Sequence, residues 1–171
     1  MPTGEAASRL CAACGMCCNG IMFHGVKLQP GDSARALAAL GIKVKRRKSE
    51  SFFPQPCSAH QGSCCAIYAQ RPARCRLFSC GQLKRVTAGE ISEADAREAI
   101  REAKIRAERV RGLLQLAGDV REHKAFAIRH EAVFAEPRDP EPHAVRVRDD
   151  LASARGDLEL LLAKEFRVDP A

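Results

Sequence analysis

Apolar positions follow two different rhythms along this chain. In the second half, Ala96, Ile100, Ala103, Ala107, Val110, Leu114 and Ala117 recur with alternating steps of four and three. That spacing lines one face of an α-helix for packing against a neighbour. Ser92, with Asp95 three residues on, supplies an N-cap close to a capping box. Glu93 with Arg97, Glu102 with Arg106 and Lys104 with Glu108 stand at i, i+4 outside the stripe. A less regular helix is predicted over residues 120–135, and Pro137, Pro140 and Pro142 mark a break after it. The four-three spacing returns in Val147, Leu151, Ala154, Leu158 and Leu161, in a last helix weakened by Gly156. Short connections favour packing of these helices within the chain, with a homodimer through the same C-terminal helices as the alternative.

The first half has no such stripe. Residues 1–10 read as a frayed lead-in. Residues 21–28 predict a short strand weakened by Gly25. Pro30 and Asp32 open a helix over residues 33–40 with Gly41 as its C-cap. The basic run of residues 43–48 is expected as a solvated loop, because no aromatic residues interleave it. Pro72 suits a first helical turn and places Cys75 on a short helix. The fold class predicted is therefore mainly α: an irregular cysteine-rich module over residues 1–90 and a helical hairpin or bundle over residues 91–171.

Cysteine placement changes this picture most. Four thiols fall within eight residues, at Cys11, Cys14, Cys17 and Cys18; the others are Cys57, Cys64, Cys65, Cys75 and Cys80, and none follows. Small apolar filler would be scattered instead. No apolar run at the start suggests a signal peptide and none approaches the roughly 18 residues of a membrane span, so a cytoplasmic setting is expected. In a reducing compartment disulfides are rare, and closely spaced C-x-x-C pairs point to metal. The adjacent pair Cys17 and Cys18 suits two ions or a bridged cluster better than one ion. If this segment is helical, Cys11, Cys14 and Cys18 share a face.

The chain carries a net charge of +7. Residues 1–90 hold 13 Lys/Arg against 4 Asp/Glu, and residues 91–171 hold 15 against 17. A basic half invites a nucleic-acid reading. Eight thiolates around two divalent ions would themselves be anionic, and nearby cations would offset them through N–H···S contacts. Nucleic acid is therefore the weaker partner, and metal ions the stronger. Arg71, Arg74 and Arg76 bracket Cys75 and are expected to lower its pKa.

The run C-x-x-C-G-x-C-C, followed by Q-P-C, C-x-I-Y and R-P-x-x-C-R-x-F-x-C, resembles the bacterial YkgJ-type cysteine-cluster proteins, described as a zinc- or iron-chelating domain. The resemblance covers residues 11–80 and continues weakly to Asp95. It implies a ligand set of Cys11, Cys14, Cys17, Cys18, Cys57, Cys65, Cys75 and Cys80, with Cys64 as an extra ninth thiol. His24 and His60 lie in the same half and are the candidates to replace a sulfur; His123, His130 and His143 are ordinary residues.

Residues 1–80 offer little apolar material for a core. Structural zinc in thiolate sites supplies roughly 10–16 kcal/mol of apparent binding free energy, enough to hold such a module together. Eight thiolates suit two tetrahedral zinc sites. They equally suit an iron–sulfur cluster, although the fourth cysteine of the C-x2-C-x2-C start departs from the ferredoxin pattern. Soft thiolates select both metals. No catalytic constellation is present: there is no glycine-rich nucleotide fingerprint, no C-x3-C-x2-C radical motif and no Ser/His/Asp arrangement. A flagellin lysine methylase is similar to this family in its cysteine cluster, which keeps a modifying enzyme as a further class. If the chain is an enzyme, an iron–sulfur oxidoreductase is the expectation.

Overall fold

Stripes of alanine, isoleucine and leucine at helical spacing need a second stripe to cover them, and in this chain they cover one another. A computed structural model describes residues 4–168, which fall into two compact units. One is built from the chain up to Ala13, from Ser79–Arg121 and from Arg129 onward; the other is built from Cys14–Phe78 and Glu122–Ile128. Seven helices occur among the described residues, with two small sheets, in line with the mainly α class.

The helical unit centres on α5 (Glu93–Leu116) and α7 (Pro142–Glu165), which pack on each other. Ala96, Ile100, Ala103, Ala107, Val110 and Leu114 of α5 are buried, as are Val147, Leu151, Ala154, Leu158 and Leu162 of α7. The last buried position is Leu162, not the expected Leu161, because a straight α-helix drifts off a strict seven-residue repeat. Ser92 and Asp95 form a complete capping box. Glu93 pairs with Arg97 and Glu102 with Arg106 as expected. Lys104 departs from expectation: its Nζ donates to the Ala13 carbonyl, and Glu108 pairs with Arg111.

α5 closes through Gly118 N–H to Gln115 O at 2.9 Å and Asp119 N–H to Leu114 O at 3.0 Å. This Schellman turn ends the helix and delivers Asp119 into a buried pair with Arg129 at 2.6 Å. The helix α6 runs over Phe126–Ala135, starting later than residue 120 because a second turn at residues 122–123 precedes it.

A helix not predicted, α4 (Gly81–Ala88), follows Cys80 directly. Its first amide, Gly81 N–H, donates to Phe166 O at 2.8 Å, and Gln82 Nε2 donates to Glu165 O at 2.9 Å. The unpaired carbonyls at the end of α7 thus receive donors from the start of α4. A Cβ on Gly81 would stand 2.7 Å from Glu165 O, so no larger residue fits there.

The lead-in also differs from expectation. Residues 1–3 lie outside the described residues, but from Gly4 the chain forms α1 (Gly4–Cys14), where a frayed segment was expected. Leu10 is buried and Arg9 pairs with Glu93, which gives this segment partners in the helical unit.

The cysteine unit holds a three-stranded antiparallel sheet in the order β1 (Gly25–Lys27), β3 (Glu50–Pro54), β2 (Lys45–Arg47). The basic run expected as a loop is therefore an edge strand and its turn, with Lys48 at φ 53°. Its side chains remain exposed, the usual way to blunt a sheet edge. The helix α2 (Ala34–Ala39) is capped by Ser33, and Gly41 at φ +85° lets Ile42 N–H reach back to Leu37 O at 3.0 Å. Ile42 and Leu37 join Phe53, Ala59 and Ile67 in a small core, and Cys57, Cys65 and Cys75 pack against it. A two-stranded ladder of β4 (His60–Gln61) and β5 (Cys64–Cys65), a 3-10 turn at Tyr68–Gln70 and the short α3 (Ala73–Leu77) complete the unit.

Candidate metal centre

The cysteine unit brings its thiols in on loop, ladder and helix. Beyond α1 the chain turns: Cys18 N–H and Asn19 N–H both donate to Gly15 O, at 3.0 and 3.1 Å, and Met22 N–H closes on Met16 O at 3.1 Å. Cys17 and Cys18 therefore sit in a tight loop, and Cys18 does not continue the face that Cys11 and Cys14 share on α1. Cys57 N–H donates to Cys18 O at 2.8 Å, tying the second cysteine segment to the first.

Cys57 carries a local signature of its own. Its sulfur accepts the backbone N–H groups of Ala59 and His60, two and three residues on. Such N–H···S contacts disperse thiolate charge around a metal ligand. In the ladder, His60 pairs with Cys65 and Gln61 with Cys64. Successive strand residues face opposite sides: Cys65 packs against the core cluster, whereas Cys64 is exposed. His24 is exposed. His60 is not, and a Cβ on Gly15 would stand 3.0 Å from its Nε2.

Cys75 rides on α3, where Pro72 is the N-cap. The first amide of this helix is held by Asp32, whose Oδ1 accepts Ala73 N–H at 2.9 Å while Oδ2 accepts Gln29 N–H at 2.8 Å. Asp32 thus positions the Cys75 helix from forty-one residues away. Sequence reading assigned it only to the start of α2; nothing in a linear pattern signals the second duty. Arg71 lies over the Tyr68 ring at 3.6 Å and donates from Nε to Tyr68 O at 2.9 Å.

The electrostatics reveal mutual proximity. A hydrogen bond donated by the Cys18 thiol holds Cys17 at about 7, against burial and with help from Arg71. The same bond, then burial and the neighbouring Cys17, Cys57 and Cys75, push Cys18 up. Burial raises Cys57, and Cys65 adds to it. Cys75 is pushed up to about 12 by burial and by Cys57, Cys17 and Cys65, with Arg71 opposing. This overturns the expected lowering of Cys75 by its arginines. Arg74 and Arg76 extend into solvent, where they are screened, so desolvation and the other sulfurs win.

Cys17, Cys18, Cys57, Cys65 and Cys75 are therefore electrostatic neighbours within one unit. Cys14 opens the same unit as the last residue of α1. Cys11 and Cys80 belong to the helical unit, Cys11 one turn before Cys14 and Cys80 as the N-cap of α4. Among the described residues no three Cys, His, Asp or Glu side chains stand close enough together to hold one ion. The five clustered thiols would have to draw inward to reach Zn–S distances of about 2.3 Å.

The donor chemistry fits a thiophilic ion. The cluster is all sulfur, one sulfur already receives backbone N–H groups, and a cation among the thiols would reverse the upward pKa shifts by favouring thiolates. Of the eight expected ligands, Cys14, Cys17, Cys18, Cys57, Cys65 and Cys75 are those that lie within this unit.

Comparison with curated proteins and with solved structures gives no match. The profile of one family matches residues 10–108, more than half of the chain, and is described as "Putative zinc- or iron-chelating domain". The span includes every cysteine, the loop, ladder and helix that carry them, and the first two-thirds of α5. The chain belongs to the CxxCxxCC family.

Proposed function

We propose that this protein is a non-catalytic metal-binding protein that takes up zinc or iron through Cys11, Cys14, Cys17, Cys18, Cys57, Cys65, Cys75 and Cys80, in a structural, storage or transfer role. One observation carries the reading. Thiol-bearing stretches remote in sequence, residues 17–18, 57–65 and 75, are brought into one unit: Cys57 N–H is bonded to Cys18 O, and Cys57, Cys65 and Cys75 pack against the same core cluster. At neutral pH the crowded, part-buried thiols of Cys18, Cys57 and Cys75 stay protonated, and a cation among them would displace the protons and take the thiolates as ligands. A full complement of thiolates also leaves no open position for a reacting water, which suits a closed site.

Protein purified anaerobically without an affinity tag is expected to carry about two metal ions per chain by elemental analysis. A folded preparation free of metal overturns the proposal. The visible spectrum of the same sample separates the metals. Colourless protein with stoichiometric zinc supports two closed zinc sites, whereas a brown protein bleached by dithionite identifies an iron–sulfur cluster.

A further inference from the structure

We infer that the segment Glu122–Ile128 is a positioning strap for the Cys17–Cys18 loop. The inference rests on the metal-binding reading above and names residues outside the family-matched span as part of its scaffold. The segment follows α5, beyond residue 108 where the family match ends, yet it is compact with the cysteine unit.

Its grip is on Gly20, two residues after Cys18. Phe126 N–H donates to Gly20 O at 3.0 Å. A Cβ on Gly20 would stand 3.0 Å from the Ala125 Cα and 3.2 Å from the Pro56 Cδ, and Gly20 has φ +86°. Backbone from residue 125 thus lies directly against the loop, with the ring of the residue before Cys57 beside it. Ala125 and Phe126 are 1 % and 3 % exposed. Asn19 Oδ1 accepts Ile21 N–H at 3.1 Å, so the loop's own turn is built around the gripped residue. Cys18 O is meanwhile held by Cys57 N–H. The carbonyls of Cys18 and Gly20 are each fixed by a separate stretch of chain, so the backbone that carries the two thiols is held at two points. Groups that orient ligands in this way typically change metal affinity roughly 10–100-fold when lost.

Phe126 begins α6, where proline is tolerated, so Phe126→Pro deletes one N–H without breaking the helix. Phe126→Ala removes the same ring and keeps the N–H. Full-length variants are titrated with zinc, and thiol alkylation is mapped residue by residue in the zinc-loaded chain. Phe126→Pro is expected to bind zinc roughly 10–100-fold more weakly than Phe126→Ala. Its Cys17 and Cys18 should alkylate faster than in Phe126→Ala, with the helical circular dichroism of the two equal. Gly20→Ala should reproduce the effect. Equal zinc affinity and equal Cys17 and Cys18 protection in all three variants and the wild type overturns the strap. A wild-type chain that takes up no zinc or iron and alkylates equally with and without either metal overturns the metal reading itself, and the strap's role with it.

Discussion

Asp119 is the most deeply buried of the depressed carboxyls that give the helical unit its acid dependence. Its side chain is fully buried between Arg129 and Arg121, both at 2.6 Å. Burial alone would raise its carboxyl; hydrogen bonds from Arg121 and Arg129 reverse this and hold it below its ordinary 3.8. A carboxyl depressed in the folded state stabilises above its unfolded value and loses that contribution as pH falls through the folded one. Urea unfolding followed by circular dichroism should therefore show stability falling below about pH 4, and Asp119→Asn should make that acid limb shallower, with Glu93, Asp95 and Glu165 still contributing. Asp119→Ala strands a buried guanidinium and is expected to cost about 3–5 kcal/mol at neutral pH. At the same scale, Cys64 and Cys65 show what one residue of register decides: period-two alternation exposes the first and packs the second against the core.

At the scale of elements, the α5 and α7 stripes are where sequence and structure agree best. A four-three rhythm over 24 residues has one solution, a helix buried along one face, and Ser92 with Asp95 marks its start unambiguously. Leu158→Ala should cost about 2–5 kcal/mol in urea unfolding, because α7 has no room to collapse over a fully buried site. Ala107→Leu, with no space opposite it, should cost about 1–3 kcal/mol by overpacking. Elsewhere the signal fails for stated reasons. α4 is eight residues with only Gln82 and Val86 buried, too short to show a period. The edge strand at Lys45–Arg47 exposes every side chain, so no alternation marks it, and its ladder to β3 alone creates it. Cys75 was legible as a helix residue from Pro72, but its raised pKa was not, since that depends on sulfurs remote in sequence.

At the scale of the whole molecule, no described helix is long and apolar enough to cross a membrane. The cysteine unit buries Leu37, Ile42, Phe53, Ala59 and Ile67 in one cluster, with Met16, Ile21, Met22, Ala125 and Phe126 buried besides, whereas the helical unit has one long continuous seam. Because Cys57, Cys65 and Cys75 pack against that cluster, the unit's stability is tied to whatever the thiols hold. Stripping metal with a chelator is expected to remove hydrogen-exchange protection from amides within Cys14–Phe78 while α5 and α7 keep theirs. Uniform loss of protection, or none, would contradict that division of stability.

The family-matched span ends at Glu108, in the interior of α5, with Ala103 and Ala107 just inside it and Val110 and Leu114 just beyond. A gene fragment cut at that border would sever a helix in mid-course, discard Leu151, Leu158 and Leu162 that shelter its face, and leave Gly81 without the carbonyl of Phe166 to dock on. The span that the family profile matches is thus narrower than the stretch of chain that the helical unit is built from.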